Sequence, residues 1–181
     1  MRILAGRFKG RALPVPPAAR PAGSRLRTSL FGVLGASLDG ARVLDVCAGA
    51  GGLGLEALSR GAARVVLLDR DPGTVRMLTQ WIEHVGASAA ALALRGDALE
   101  RAWPEGPFDV VLLDPPFDFW ADGRAARLLQ RAQEALAAGG RAVVKLPSRQ
   151  ELPAGHAWRL RDRRRAGDVD FAILERLPDA H

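Results

Sequence analysis

The sequence predicts an α/β protein with a doubly wound, mostly parallel sheet of seven strands, preceded by a short basic extension. From Ala41 onward, short apolar and β-branched runs alternate with amphipathic helical patterns. This alternation is typical of strands that are buried between two layers of helices. A glycine-rich stretch, residues 49–54, follows the first of these strands and precedes a helix, as it does in nucleotide-binding α/β folds.

The composition fits one globular domain, with 181 residues of which 48% are hydrophobic and 25% are charged. The net charge is +6, and all of the 26 basic residues except Lys9 and Lys145 are arginines. Arginine suits contacts with phosphates and stacking on bases, so an anionic polymer is an expected partner. No apolar run approaches the roughly 20 residues of a membrane span, and no long apolar core of a signal peptide follows Met1. We therefore expect a cytoplasmic protein without a membrane segment.

Metal binding is not expected. Cys47 is the single cysteine, and the three histidines show no spacing that suits metal ligands.

Residues 1–23 form a basic segment that we assign to a unit separate from the domain at 24–181. Gly6 and Gly10 predict a tight hairpin, and four prolines between positions 14 and 21 predict an extended connector. A solvated arm and a nucleic-acid clamp both fit this pattern, and we favour the clamp.

The elements of the domain follow in order. A helix begins at Ser24, and its apolar face leaves Arg25 and Arg27 free to point outward. Asp71 and Pro72 begin another helix, and a third carries Leu136 and ends at Gly139–Gly140. Strands are predicted at residues 42–47, 64–68, 91–94, 108–113 and 141–146, with an antiparallel pair at 157–161 and 169–174. The basic run 163–165 is expected in a solvated loop.

The stretch Asp114-Pro115-Pro116-Phe117 is the strongest candidate for a reactive site. It ends a buried strand, because proline cannot donate to a β-ladder and restricts the residue before it. The result is a rigid lip with a carboxylate, free carbonyl groups and an exposed ring. These groups suit a flat heterocycle that carries an amino group.

The glycine stretch satisfies G-x-G-x-x-G, a pattern shared by dinucleotide-binding proteins. Three acids, Asp45, Asp69 and Asp97, end consecutive strands, and Asp114 makes a fourth. In an open α/β sheet these ends line one crevice. Carboxylates there would repel a pyrophosphate but attract the amino and sulfonium groups of S-adenosylmethionine. We expect Asp69 to bind a ribose diol and Asp97 an adenine amino group.

The chain resembles class I S-adenosylmethionine-dependent methyltransferases, and within them the bacterial family that methylates guanine N2 in small-subunit ribosomal RNA. The lip 114–117 is shared by amino methyltransferases generally. The narrower resemblance rests on the N-terminal blocks and on the helical stretch Glu56-Ala57-Leu58-Ser59-Arg60-Gly61-Ala62. The match as a whole runs through Met1-Arg2-Ile3, Lys9-Gly10-Arg11, Arg20-Pro21, Arg25-Leu26-Arg27, Leu30-Phe31, Leu44-Asp45, Ala48-Gly49-Ala50-Gly51, Gly54-Leu55-Glu56-Ala57-Leu58-Ser59-Arg60-Gly61-Ala62 and Asp69-Arg70-Asp71.

The resemblance implies a Rossmann-like fold and S-adenosylmethionine as the cofactor. It implies small-subunit ribosomal RNA, within an assembled or assembling small ribosomal subunit, as the partner. It implies three sets of residues. The catalytic set is Asp114, Pro115, Pro116 and Phe117; the cofactor set is Asp45, Ala48, Gly49, Gly51, Asp69, Arg70, Asp97 and Ala98; the RNA set is Arg7, Lys9, Arg11, Arg20, Arg25 and Arg27. The chain departs from the family pattern at Ala22, at Thr28 and at Lys145, where the fifth strand of the family often closes with an acid.

Three alternatives stay open at the level of the sequence. A DNA adenine or cytosine amino methyltransferase would use the same lip, although 181 residues leave little room for a target-recognition domain. A catalytically silent RNA-binding assembly factor could keep the fold, and an NAD-dependent oxidoreductase could use the glycine loop.

Overall fold

The computed structural model describes residues 1–13, 15, 24–153 and 158–178, and in this part of the chain seven strands form one sheet. The strands are β1 (Arg42–Val46), β2 (Arg64–Asp69), β3 (Ala91–Arg95), β4 (Phe108–Leu113), β5 (Leu136–Pro147), β6 (Trp158–Ala166) and β7 (Val169–Arg176). Their order is β3-β2-β1-β4-β5-β7-β6, and β7 runs antiparallel to both of its neighbours. The predicted fold class is confirmed.

Helices cover both faces of the sheet, because successive strand residues point to opposite sides. The helices are α1 (Ser24–Leu34), α2 (Gly54–Ser59), α3 (Pro72–His84), α4 (Asp118–Ala121) and α5 (Arg124–Ala135). One apolar cluster joins alternate strand residues such as Val43 and Leu112 to α1, α2 and α3. The other joins Leu44, Leu113 and their equivalents to α4 and α5.

The strand order reverses between β1 and β4. The chain leaves β1 toward β2 and β3 on one side, whereas β4 leads to β5 on the other. Such a switch point leaves a crevice at the carboxyl ends of the strands, where ligands bind in open α/β sheets. Asp45 in β1 and Asp114 just after β4 flank this switch point.

The N-terminal segment folds as the predicted hairpin and packs onto α2. Arg2 and Ala12 form an antiparallel bridge, and Gly6 and Gly10 adopt positive φ angles at the turns. A Cβ atom at Gly6 would lie 1.7 Å from the carbonyl oxygen of Ser59, so only glycine fits this close approach. Ile3 and Leu13 of the hairpin are buried in the main core.

Two predicted boundaries were wrong. The last helix ends at Ala135, and Leu136 already pairs with Phe108 in β5, so Gly139 and Gly140 lie within an irregular strand. Leu136 is buried in β5, and a buried leucine was also expected on the apolar face of a helix. Its spacing from Ala132 and Leu129 therefore could not distinguish the end of the helix from the start of the strand. The basic run 163–165 lies in β6, which is longer than predicted; residue 157, its predicted start, is outside the described residues.

The basic run forms a strand because an acid on the neighbouring strand neutralises it. Asp170 of β7 is buried and accepts hydrogen bonds from Arg163 (2.8 Å) and Arg165 (3.1 Å).

The predicted start of helix α3 was confirmed. Asp71 caps α3 by accepting a hydrogen bond from Thr74 N at 2.6 Å, and Pro72 is the first residue of that helix.

Candidate active site

The predicted lip lies at the carboxyl end of β4, directly beside β1. Asp114 N donates to the Val46 carbonyl at 3.3 Å, which continues the β1–β4 ladder by one residue. Pro115 is buried, whereas Pro116 is exposed. The chain then turns, with Phe119 N donating to the Pro116 carbonyl at 3.1 Å. This turn leaves Phe117 at the rim with 43% of its surface exposed.

The carboxylate of Asp114 is paired with Lys145, a residue to which no role could be assigned from the sequence. Lys145 Nζ lies 2.6 Å from Asp114 Oδ1. Burial raises the pKa of Asp114 above its ordinary value, and the nearby ammonium of Lys145 opposes that rise. The registers Leu112↔Val143 and Leu113↔Val144 between β4 and β5 bring these two side chains together.

The glycine loop is held open by backbone geometry and by Asp69. Gly49 and Gly51 have φ angles of 51° and 72°. A Cβ atom at Gly51 would lie 2.8 Å from side chains of Leu55 and Leu78. Gly49 N donates to Asp69 Oδ2 at 2.8 Å, and Asp71 N donates to Asp69 Oδ1 at 2.9 Å. Asp69 therefore fixes the loop between β1 and α2 as well as the turn after β2.

Asp45 lies beneath the glycine loop and is fully buried. Its Oδ2 accepts a hydrogen bond from Gly54 N at 2.7 Å, at the start of α2, whereas its Oδ1 is a buried oxygen without a hydrogen-bond partner. Burial, with a further contribution from Asp114 and Asp69, raises the pKa of Asp45 to about 8. Burial thus disfavours a negative charge on Asp45, and direct binding of a cofactor by Asp45 stays a prediction.

A cavity of about 170 Å³ lies between the ends of β2, β3 and β4. Six of the predicted site residues line it: Asp69, Arg70, Asp97, Ala98, Asp114 and Pro116. Cys47, Leu68, Gly96 and Phe119 complete the lining and were not predicted as site residues. Ligand pockets usually measure about 300–1,000 Å³, so this cavity can hold one part of a cofactor while the rest lies along the glycine loop.

The groups around this cavity fit S-adenosylmethionine better than a dinucleotide. Three carboxyl groups face it against one guanidinium, that of Arg70. A pyrophosphate would be repelled by this set, whereas a ribose diol and an amino group can donate to it. The lone pairs that Asp69 and Asp97 retain can accept such bonds, because each carboxylate oxygen can accept more than one hydrogen bond.

The surroundings of Cys47 disfavour the ionised, nucleophilic form of its thiol. Burial and the surrounding acids raise the pKa of its thiol to about 12, so the reactive thiolate is scarce at pH 7. Its side chain packs with the apolar cluster on the α5 side of the sheet.

The predicted RNA residues fall into three groups. Arg7, Lys9 and Arg11 on the hairpin and Arg25 on α1 are exposed or half-buried at the surface. Arg20 is outside the described residues. The prediction that Arg27 points outward was wrong, since its side chain is 3% exposed.

Arg27 instead joins three parts of the chain. It donates to the carbonyl groups of Arg2 (3.1 Å) and Gly52 (3.5 Å), and it lies 4.0 Å from buried Glu56. Sequence spacing placed Arg27 off the apolar face of α1, but the hairpin and the glycine loop cover that side of the helix. Thr28, a departure from the family pattern, donates to the Ser24 carbonyl within α1 at 2.9 Å.

Comparison with known proteins identifies the family. The sequence profile of a family described as Conserved hypothetical protein 95 matches residues 1–175. The chain belongs to this family. The match covers the N-terminal hairpin together with the sheet, in agreement with the packing of the hairpin onto α2.

Two curated relatives of this chain carry the same name. Ribosomal RNA small subunit methyltransferase D of Escherichia coli K12 is 34% identical over 184 residues, which is 97% of this chain and 90% of the relative. The protein of the same name from Haemophilus influenzae is 36% identical over 135 residues, covering 71% and 70% of the two chains. The resemblance found in the sequence is confirmed.

Solved structures agree with the family assignment. A methyltransferase structure from Escherichia coli superposes with a TM-score of 0.88 at 31% identity, covering 98% of both chains. An RNA methyltransferase from Salinibacter ruber in complex with S-adenosyl-L-homocysteine superposes with a TM-score of 0.66 at 15% identity, covering 90% of this chain and 97% of that one. The latter likeness concerns the fold alone, which is that of class I methyltransferases.

Within residues 1–13, 24–153 and 158–178, no group of three or more histidine, cysteine or acidic side chains is arranged to hold a metal ion. No helix in the same part of the chain is long and apolar enough to cross a membrane.

Proposed function

We propose that this protein transfers a methyl group from S-adenosylmethionine to the exocyclic N2 amine of a guanine in small-subunit ribosomal RNA. The observation that carries the proposal is the Asp-Pro-Pro-Phe lip at the switch point, beside a cavity lined by Asp69, Asp97 and Asp114. Membership of a family whose relatives are named small-subunit ribosomal RNA methyltransferases supports RNA as the substrate.

The choice of guanine N2 rests on the sequence resemblance, and the same lip could bind the amine of adenine. An assembling small subunit in the cytoplasm is the proposed setting, because a small enzyme can use such a particle to recognise its target.

The bound cofactor would supply an electrophilic methyl group on a sulfonium. Asp69, Arg70, Asp97 and Ala98 would hold its adenosine part, since they line the cavity at the ends of β2 and β3. Gly49 and Gly51 would let the rest of the cofactor approach the backbone closely. The glycine loop and Asp114 would thereby bring the donor and the acceptor together at the switch point.

Asp114 and Pro115 would position the target amine. The lone pair of a guanine amine is delocalised into the ring, so the amine is a poor nucleophile. Asp114 Oδ2 and the Pro115 carbonyl can accept its two hydrogens and orient the lone pair toward the methyl group. The cofactor would supply the methyl group, and its sulfur would keep the electron pair of the broken sulfur–carbon bond, while Asp114 and Pro115 hold the attacking amine. The proton then leaves the nitrogen to Asp114 or to water.

Phe117 would stack on the target base. Its ring is exposed at the rim of the lip. An amine within an RNA helix is out of reach, so the base must leave its stack and rest on an aromatic surface. Stacking of this kind contributes about 1–3 kcal/mol per base.

The test is methylation of small subunits and of naked small-subunit RNA in vitro, with nucleosides identified by mass spectrometry. We expect N2-methylguanosine with the wild-type protein. Asp114→Ala should lower turnover on the order of a hundredfold or more, because the amine loses its oriented acceptor. The affinity for S-adenosylmethionine, measured by calorimetry, should change little.

Asp118→Ala is the matched control. Asp118 is an exposed acid four residues along the chain, and it pairs with Arg124 at 2.7 Å. Its loss should leave methylation unchanged. Undiminished activity of Asp114→Ala would contradict the mechanism, and N6-methyladenosine as the product would favour the adenine enzyme instead.

A further inference from the structure

Lys145 interrupts an apolar strand at the point where β5 meets the lip. Its neighbours Val143, Val144 and Leu146 are buried. The β4–β5 register aligns Leu113 with Val144, so the next positions along, Asp114 and Lys145, lie side by side. Lys145 Nζ is 2.6 Å from Asp114 Oδ1, and 14% of the lysine side chain is exposed. The long side chain of Lys145 therefore ends at the carboxylate of the lip.

Stability alone gives little reason for a lysine here. The pair is partly buried, with 14% of the Lys145 side chain and 27% of the Asp114 side chain exposed. Withdrawing two charges from water costs free energy, and apolar side chains of similar volume in place of a buried pair are often as stable or more stable. A valine or leucine would continue the run formed by Val143, Val144 and Leu146. The pair thus calls for an explanation in the chemistry of the site.

Lys145 also contacts the second functional side chain of the lip. Its ammonium lies over the Phe117 ring, 5.6 Å from the ring centroid. A cation over one face of an aromatic ring is attracted by the ring electrons and leaves the opposite face for another partner. One side chain therefore holds both the carboxylate and the ring.

We propose that Lys145 is a positioning residue for methyl transfer: it binds Asp114 Oδ1 and keeps the carboxylate ionised, so that Oδ2 is presented to the target amine. This inference rests on the proposed function of the lip. The amine must donate to an anionic acceptor at a fixed angle, and Asp114 without a partner would be free to rotate and to take up a proton.

Acidic groups lie at the same edge of the sheet as Asp114. Asp45 is in β1, the strand next to β4, and Asp69 and Asp97 line the same cavity as Asp114 at the ends of β2 and β3. Cys47, on the turn after β1, lines the same cavity as Asp114 and is un-ionised at neutral pH.

Cations approach from two directions. Arg70 lines the cavity at the end of β2, and Lys145 reaches Asp114 from β5. On the side of α4 and α5, Arg124 is paired with Asp118 and Asp122. Burial raises the pKa of Asp114, and the Lys145 ammonium is the cation that lowers it. Without that ammonium the carboxyl group would take up a proton at a higher pH.

The experiment compares Lys145→Met, Lys145→Arg and the wild type in the pH dependence of kcat/KM for RNA methylation. Loss of an opposite charge at this distance should move the acid limb of the Lys145→Met profile up by about 1–3 pH units. Lys145→Arg keeps a cation and should return the limb toward the wild-type position. Arg141→Met, four residues earlier on the same strand and paired with Val110 rather than with the lip, should leave the profile unchanged.

A second measurement needs no RNA. The carboxyl carbon of Asp114, followed by NMR in protein labelled with 13C-aspartate, should titrate at a higher pH in Lys145→Met than in the wild type. Cofactor affinity across the same pH range should be unchanged, because Asp69 and Asp97 are intact. A shift of the kinetic limb that came from the cofactor acids would appear in this affinity instead.

The outcomes separate the inference from the proposed function. An unmoved Asp114 titration, or an equal loss of activity at every pH with no shift of the limb, would overturn the role of Lys145 while methylation by the wild type still stood. A wild-type protein that methylates no RNA would overturn the proposed function, and with it the positioning role, whatever the NMR titration showed for the ion pair.

Discussion

Asp69 carries more of the site than the ribose contact that the sequence predicted for it. Its two oxygens accept hydrogen bonds from Gly49 N and Asp71 N, and its side chain lines the cavity. The same carboxylate can thus shape the glycine loop and bind a cofactor hydroxyl. Asp45 has a different role. It is buried below the glycine loop and accepts a hydrogen bond from Gly54 N.

We expect Asp69→Ala to weaken binding of S-adenosylmethionine by about 1–3 kcal/mol, because the diol loses its acceptor and Gly49 N loses its partner. Isothermal titration calorimetry gives the affinity directly. Asp71→Ala serves as the control: it removes the cap of α3, which costs about 1 kcal/mol of stability, but leaves the loop contacts of Asp69 Oδ2 in place. Equal affinities for Asp69→Ala and wild type would remove Asp69 from the cofactor site.

At the level of elements, helix α2 connects the glycine loop to the N-terminal hairpin. Glu56 of α2 is fully buried, and its carboxylate accepts hydrogen bonds from Leu4 N (2.7 Å) and Ala5 N (3.1 Å) as well as from Arg60 Nε (2.8 Å). Arg27 approaches the same carboxylate from α1. The hairpin is therefore part of the folded unit around the glycine loop, and its removal would expose Ile3, Leu13 and Glu56.

Glu56→Ala should lower the free energy of unfolding by about 3–5 kcal/mol. The substitution leaves Arg27 as a buried cation without its acid and leaves two backbone N–H groups without an acceptor. Urea denaturation followed by circular dichroism measures the change. Glu83→Ala, at an exposed position on α3, should stay within about 0.5 kcal/mol of the wild type. A Glu56→Ala protein as stable as that control would show that the Glu56 contacts contribute little to the folded state.

Over the whole molecule, the basic side chains extend well beyond the lip. The hairpin runs along α2, with Met1 against Gly52 near the crevice and Gly6 against Ser59 at the far end of the helix. Arg7 N donates to the Ser59 carbonyl at 2.9 Å. Six helical residues span about 9 Å, so the turn with Arg7 and Lys9 lies beside the end of α2 that is farther from the glycine loop and the lip. A nucleic acid that contacts both would have to cover an extended face of the protein, which suits a large folded RNA.

Arg7→Ala/Lys9→Ala should reduce RNA affinity and flatten its salt dependence. Each lost phosphate contact lowers the slope of log affinity against log salt by about 0.7–0.9. The slope can be measured by filter binding between about 50 and about 300 mM salt, a range that brackets physiological ionic strength. Arg127→Ala/Arg159→Ala removes the same charge from α5 and the edge strand β6, and it should leave the slope unchanged. Equal slopes for the two double variants would exclude the hairpin as a contact.

The sequence by itself determined the fold class and the order of the strands along the chain. Alternating buried strands and helices have few other arrangements, and the capping pair Asp71–Pro72 and the strand 108–113 follow from local chemistry. The lip 114–117 was also predictable, because two prolines end a strand whatever its partners are.

The tertiary structure alone decided which side chains meet across elements. The sequence placed Arg27 on the polar side of α1, but the hairpin and the glycine loop cover that side and bury it. It gave Lys145 no role, because the register between β4 and β5 sets its distance to Asp114. Local periodicity reports which face of an element is apolar, whereas contacts such as these depend on the packing of segments far apart in the chain.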